Sequence, residues 1–195
     1  GYTPTEAELL DPQLRLFHEC CWEALEDAGY DPGAYDGLIG LFGGAEDNNP
    51  WREKVLLSTK EWAAKQTRIL LSSKDFVSAR VSYKLNLKGP VYAILTGCST
   101  AMSSIHVAFR SLMGGECDMA LAGGAYVHMP NGPGHIYRQG MLESSDGHLR
   151  AFDARADASH SLSNSPSVCT TTRMPHSRRS RRSPNPSRNS VMSSR

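Results

Sequence analysis

Val91-Tyr92-Ala93-Ile94-Leu95, running into Thr96-Gly97-Cys98-Ser99, is the stretch on which the fold turns. The apolar run follows the breaker Gly89-Pro90 and predicts a buried strand. Beyond the cysteine, Ala101, Met102, Ile105, Ala108, Phe109, Leu112 and Met113 mark a helix apolar on most sides, the pattern of a buried helix, which Gly114-Gly115 stops. Strand, tight turn and helix in succession are the unit of a layered α/β domain.

The same alternation extends outward from this unit. On its N-terminal side, Leu38-Ile39-Gly40-Leu41-Phe42 predicts a buried strand closed by a loop at Gly43-Gly44. Before it, Asp11-Pro12 pairs an N-cap acceptor with proline at the first helical position, and Leu14, Phe17, Cys21, Ala24 and Ala28 give an apolar stripe that Gly29 ends. Residues 51–71 read as one mixed helical stretch of weak periodicity. On the C-terminal side, Met119-Ala120-Leu121-Ala122 predicts another strand, ending at Gly123-Gly124. The expected architecture is a sheet with helices on both sides.

Cys98 stands at the strand-to-helix turn between the small residues Gly97 and Ser99. A sharp turn there lifts a side chain out of the sheet, as in the serine elbow of hydrolases. The start of the following helix offers N–H groups and the positive end of the dipole, which favour a thiolate and receive an oxyanion. A free thiol with pKa of about 8.5 is only a few per cent ionised at pH 7, so this placement makes Cys98 a candidate covalent nucleophile. The plain alternative is a small buried hydrophobe. Cys20, Cys21 and Cys117 sit at no such turn and read as packing residues, and Cys169 as inert. His106 is eight residues along the helix from Cys98, about 12 Å of rise, and is too far to serve as its base. His128, His135 and His148 have no position that the sequence dictates, so no general base is nominated.

Across 195 residues, 21 Lys+Arg balance 20 Asp+Glu to a formal charge of +1, and 39% of residues are apolar. No run is long and apolar enough for a transmembrane helix. Residues 1–10 contain two Glu and neither a basic cluster nor an apolar run, so no secretory signal is expected and the expected compartment is the cytoplasm. Five cysteines with no C-x-x-C pair, and His18 and Cys20 two apart on a helix, argue against a disulfide framework and a metal site.

The balance of charge conceals two compositions. Residues 1–157 hold every acidic residue and 14 basic ones, a charge of −6, whereas residues 158–195 hold seven Arg, no acid, 12 Ser and four Pro. Seven mostly small apolar side chains are too few to offset the ordering of 38 residues, so this segment is expected to be a disordered basic tail outside the domain. Its Arg178-Arg179-Ser180-Arg181-Arg182-Ser183 run fits nucleic acid or a localisation signal, against the plain reading of a solvated tail; nucleic acid is not an expected partner.

Seven segments carry a specific resemblance: residues 11–16 (DPQLRL), 22–30 (WEALEDAGY), 80–90 (RVSYKLNLKGP), Cys98-Ser99-Thr100, 115–124 (GECDMALAGG), 145–148 (SDGH) and 150–153 (RAFD). In this order they resemble the beta-ketoacyl synthase domain of modular type I polyketide synthases. The resemblance implies a thiolase-like layered fold, incomplete and forming part of its N-terminal half, over residues 1–157. It implies that Cys98 takes a growing acyl chain from the phosphopantetheine of an acyl carrier protein, with its own N–H in the oxyanion hole, before condensation with malonyl on a second carrier and loss of carbon dioxide. No cofactor bound directly is implied. The strand before the cysteine pairs with its two-fold mate in the family, which implies a homodimer; no membrane partner is implied.

The departures shape the expectation. Thr96-Gly97-Cys98-Ser99 differs from the family's Thr-Ala-Cys-Ser, and the strand before it is atypical. No histidine matches the family's two later histidine motifs, so none is carried over, and acyl transfer to Cys98 rather than complete condensation is expected. A Ser/Arg tail stands where the family continues with glycine-rich and apolar sequence, which implies a lost reading frame or a broken gene copy. The alternative to an acyl-transferring fragment is a non-catalytic scaffold or partner-binding fragment.

Overall fold

Asp11 starts its helix for the reason the sequence predicts: its Oδ1 accepts the Gln13 N–H at 2.8 Å, and Pro12 fills the first helical position. The computed structural model describes residues 2–127, 137–140, 144–148, 150 and 152–157. The described elements run α1 (Pro4–Leu9), α2 (Pro12–Asp27), β1 (Ile39–Ala45), α3 (Asn49–Leu57), α4 (Trp62–Leu71), α5 (Val77–Leu85), β2 (Val91–Ala93), α6 (Thr100–Gly114) and β3 (Met119–Ala125). Gly29 (φ +73°) follows α2 and Gly115 (φ +72°) caps α6, both in the left-handed region that ends helices at glycine. The basic segment expected to be disordered, residues 158–195, lies outside the described residues.

The three strands form a parallel sheet in the order β2-β1-β3, with Ile39 opposite Met119 through to Ala45 opposite Ala125, and Leu41 opposite Val91. Side chains of the strands alternate between two cores. Ile39, Leu41, Met119 and Leu121 pack with Leu14, Phe17 and Cys21 of α2 and Val77 and Val81 of α5. Phe42, Ala120 and Ala122 face the other way, against Ala108 and the partly buried Ile105 and Leu112 of α6. Helices thus cover both faces, the layered α/β architecture expected.

Four expectations change. β1 and β3 do not stop at their glycine pairs but run through them to Ala45 and Ala125. The glycines are there because neighbours press on the strands: a Cβ on Gly43 would stand 2.6 Å from Phe17 Cζ, and one on Gly124 3.1 Å from Thr100 Cγ2. The strand expected to be buried over residues 91–95 is the short edge strand β2, half-exposed, because among the described strands it has a neighbour on one side only. Likewise α6 buries Ser104, Ala108 and Ser111, while Met102, Phe109 and Met113 are exposed, so it is covered on one side rather than most. Residues 51–71 form parts of two helices, α3 and α4, not one. Two helices were not anticipated: α1, although Thr3 and Glu6 make a full capping box, and α5, whose Ser78 Oγ donates to the Gly43 carbonyl at 2.7 Å deep in the core.

Candidate active site

Parallel strands bring their C-terminal ends to one edge, where crossover loops present side chains to solvent. Cys98 lies at that edge, exposed, in a single 3-10 turn (Gly97–Ser99) between β2 and α6. The turn depends on Gly97, whose φ of +61° favours glycine; among the described residues no atom other than those of its chain neighbours lies within 4 Å of where its Cβ would be. The small residue expected before the cysteine is therefore required by backbone conformation and not by lack of room.

Hydroxyls hold the turn. The Thr96 N–H donates to Thr100 Oγ1 at 3.0 Å, the Ser99 hydroxyl to the Thr96 carbonyl at 2.8 Å, and Thr96 Oγ1 to Ser103 Oγ at 3.0 Å. The first residue of α6, Thr100, donates its N–H to the Gly97 carbonyl, and no side chain caps the helix at Ser99. Cys98 thus precedes a helix start whose outward N–H groups and dipole favour negative charge.

Two further residues share the edge. Glu46 and Tyr126 are the first residues past β1 and β3, and strand alternation places them on the α6 side with Gly44 and Gly124. Burial pushes the Tyr126 phenol up, helped by the Glu46 carboxylate and then by Cys98. No motif singles these residues out; only the register of two parallel strands does. Gln13, fully buried on α2, reaches the same loops: its Nε2 donates to the Glu46 carbonyl at 2.9 Å, and its Oε1 accepts the Val127 N–H at 3.2 Å.

The histidines take other places. His106 lies on the exposed face of α6, and His18 Nδ1 is 3.2 Å from the Tyr2 hydroxyl, with its ring held below the usual value mainly by burial. His148 Nδ1 lies 3.1 Å from the Asp146 carbonyl. Among the described residues no hydrogen bond joins a histidine to Cys98. His128 and His135 lie outside the described residues, as does Cys169. Cys21 and Cys117 are buried in the two cores, the packing role expected of them, Cys20 is half-buried, and burial pushes the Cys117 thiol up.

The described residues between Ser144 and Asp157 form a polar network. Asp146 accepts from Arg150 Nη1 at 3.0 Å and Nη2 at 2.6 Å, which with the His148 N–H holds its carboxyl well below the usual carboxylate range. The Ser145 hydroxyl and N–H both donate to Asp157 Oδ2. Among the described residues no three His, Cys, Asp or Glu side chains group as a metal site would, and no helix is long and apolar enough to cross a membrane.

Comparison with known proteins places this geometry. The family profile for the beta-ketoacyl synthase N-terminal domain matches residues 1–161. A component of the phenolphthiocerol/phthiocerol polyketide synthase of Mycobacterium tuberculosis is 41% identical over 165 residues, covering 80% of this chain and 11% of that protein. Pikromycin polyketide synthase component PikAII of Streptomyces venezuelae is 40% identical over 159 residues, covering 80% of this chain and 4% of its own length. Among solved structures, ketosynthase twelve of the bacillaene polyketide synthase from Bacillus amyloliquefaciens superposes with a TM-score of 0.69 at 36% identity, over 80% of this chain and 27% of that one. The chain therefore spans about a tenth or less of these curated relatives and about a quarter of the solved ketosynthase. With a thiolase-like arrangement of layers and a profile matching most of its length, the chain belongs to the beta-ketoacyl synthase family, whose N-terminal domain it carries over residues 1–161.

Proposed function

We propose that this domain carries the acyl-accepting step of a polyketide beta-ketoacyl synthase, with Cys98 as nucleophile. The observation that supports this most is the exposed Cys98 in a tight turn at the uncapped start of α6, on the edge where the parallel strands end. The substrate is an acyl thioester on the phosphopantetheine of an acyl carrier protein. The Cys98 sulfur attacks the thioester carbonyl, a C–S bond forms to Cys98 and the C–S bond to the carrier breaks, and the proton lost by Cys98 leaves on the carrier thiol. One thioester replaces another, so the catalytic demand falls on the tetrahedral oxyanion, for which backbone N–H groups at a helix start are suited donors. We assign this chain the acyl-accepting step and not the decarboxylative condensation that completes the family's reaction, since no histidine of its sequence matches the family's two later histidine motifs. The domain limit we assign is residue 157, where the acidic residues end, four residues short of the end of the profile match at residue 161.

Intact-mass measurement after incubation with a small-molecule acyl thioester tests the reading. One acyl adduct is expected, mapped to Cys98, released by hydroxylamine and lost in Cys98→Ala. An adduct that persists in Cys98→Ala, or none on the wild type, overturns it.

A second reading, assembly, rests on a separate observation. Met102, His106, Phe109 and Met113 recur at helical spacing along one exposed stripe of α6, and the outer edge of β2, with Tyr92 half-exposed, is unpaired among the described strands. Such a stripe and edge suit a two-fold mate. Sedimentation of the wild type against Met102→Lys/Met113→Lys tests this; a dimer dissociated by the substitutions is expected, and an unchanged sedimentation coefficient overturns it.

A further inference from the structure

Beyond Ala45 and Ala125 the ladder between β1 and β3 has run out, yet the residues that follow, Glu46 and Tyr126-Val127, remain linked. The link between them is a side chain from another element. Gln13, 1% exposed on α2, donates from Nε2 to the Glu46 carbonyl and accepts the Val127 N–H on Oε1, so one primary amide occupies the place of the next ladder rung. Its backbone is fixed in turn by Asp11, whose Oδ1 also accepts from Asn48 Nδ2 at 3.1 Å, two residues past Glu46.

On the opposite face the same strand ends touch the segments on either side of the cysteine turn. Gly44 abuts Ile94 and Leu95, Gly124 abuts Thr100 and Ala101, and Glu46 and Tyr126 follow each of these glycines by two residues. A change in the spacing of the strand ends therefore moves Glu46 and Tyr126 relative to Cys98. A buried amide satisfied at both ends has one geometry, and replacing it leaves a carbonyl and an N–H without partners.

We propose that Gln13 is a positioning residue for the Cys98 site, setting the separation of the Glu46 and Tyr126-Val127 loops through the amide bridge between them. The proposal rests on the reading that Cys98 accepts acyl groups, and its test separates the two. In Gln13→Leu, amide hydrogen exchange at Val127 and in the loop after Glu46 is expected to rise at least tenfold. Acylation of Cys98 is expected to slow at least tenfold at saturating thioester, while alkylation by the small reagent iodoacetamide stays within about twofold. Gln13→Glu keeps the acceptor for Val127 and loses the donor to Glu46; as pH falls its protonated carboxyl regains a donor, so its acylation rate relative to wild type rises while its iodoacetamide rate relative to wild type stays level. This variant also serves if Gln13→Leu fails to fold. Unchanged exchange at Val127, or raised exchange with wild-type acylation, overturns the proposal. If the wild type itself is not acylated, the functional reading falls, and the rate of Cys98 with a bulky maleimide relative to iodoacetamide decides: a threefold change in Gln13→Leu supports positioning and an unchanged ratio overturns it.

Discussion

The carbonyl oxygen of Ile94 lies 2.1 Å from the point where a Cβ on Gly44 would stand. The strand before Cys98 can therefore lie against β1 only because β1 has a glycine there, and the Ile94 N–H is tied to the neighbouring Gly43 carbonyl at 3.0 Å. The path of the backbone into the cysteine turn is set by this approach.

Gly44→Ala is expected to be the most damaging small substitution near the site. The obstructing atom is backbone and cannot swing away, so the cost is at least the 1–3 kcal/mol of an overpacked core, or roughly 3–10 °C in Tm. Thermal unfolding followed by circular dichroism checks this, and a midpoint within about 1 °C of wild type would remove the argument for this contact.

Gly97→Ala separates conformation from space. Open room surrounds the Gly97 Cβ position, so the penalty is that of placing alanine at φ +61°, about 1–2 kcal/mol, and Gly97→Asn should recover part of it because asparagine tolerates that region. Urea unfolding orders the three proteins as Gly, then Asn, then Ala in stability. Equal midpoints would mean that the turn relaxes without cost.

Asp11 combines a cap with a buried charge. Burial raises its carboxyl above 3.8, more than the hydrogen bonds from Gln13 and Asn48 lower it. Its folded value being the higher one, the proton-linked stabilisation is whole below 3.8 and is lost as pH rises through the folded value. Asp11→Asn keeps an acceptor without the buried charge and should be at least as stable as wild type at neutral pH, with a flatter pH dependence on the acid side. Asp11→Ala loses the cap and about 1 kcal/mol. Unfolding midpoints of the three proteins between about pH 4 and 7 test the ordering.

The network of Asp146, Asp153 and Asp157 has the opposite sign. Hydrogen bonds from Arg150, Arg155 and Ser145 respectively hold each carboxyl below its usual 3.8. Their contribution is whole above that value and is withdrawn as pH falls through the depressed ones. All three carboxyls are exposed, so the effect is local. Hydrogen exchange at Gly147 and His148 should accelerate below about pH 4 once the intrinsic rate is divided out, before α2 or α5 responds. Simultaneous loss of both regions would contradict it.

Much of the architecture was legible because its signals are local. Asp11-Pro12 and the stripe of Leu14, Phe17 and Cys21 announce α2, and Gly115 ends α6, because caps and helical periodicity act within a few residues. The turn at Cys98 was legible for the same reason. Gly43-Gly44 and Gly123-Gly124 misled: glycine usually marks the end of a strand, and here it marks close approach by Phe17, Ile94 and Thr100, which are distant in sequence.

What the sequence by itself determined is the family, the layered α/β class and the place of Cys98 in a strand-to-helix turn, since each is written in contiguous residues or in motif order. Only the tertiary structure decided that β2 is an edge among the described strands, that Met102, Phe109 and Met113 of α6 are exposed, and that Gln13 joins Glu46 to Val127 across separations of 33 and 114 residues. Those facts depend on which strand lies beside which, and strand order is set by packing the two faces of the sheet, a choice that no local run of residues encodes.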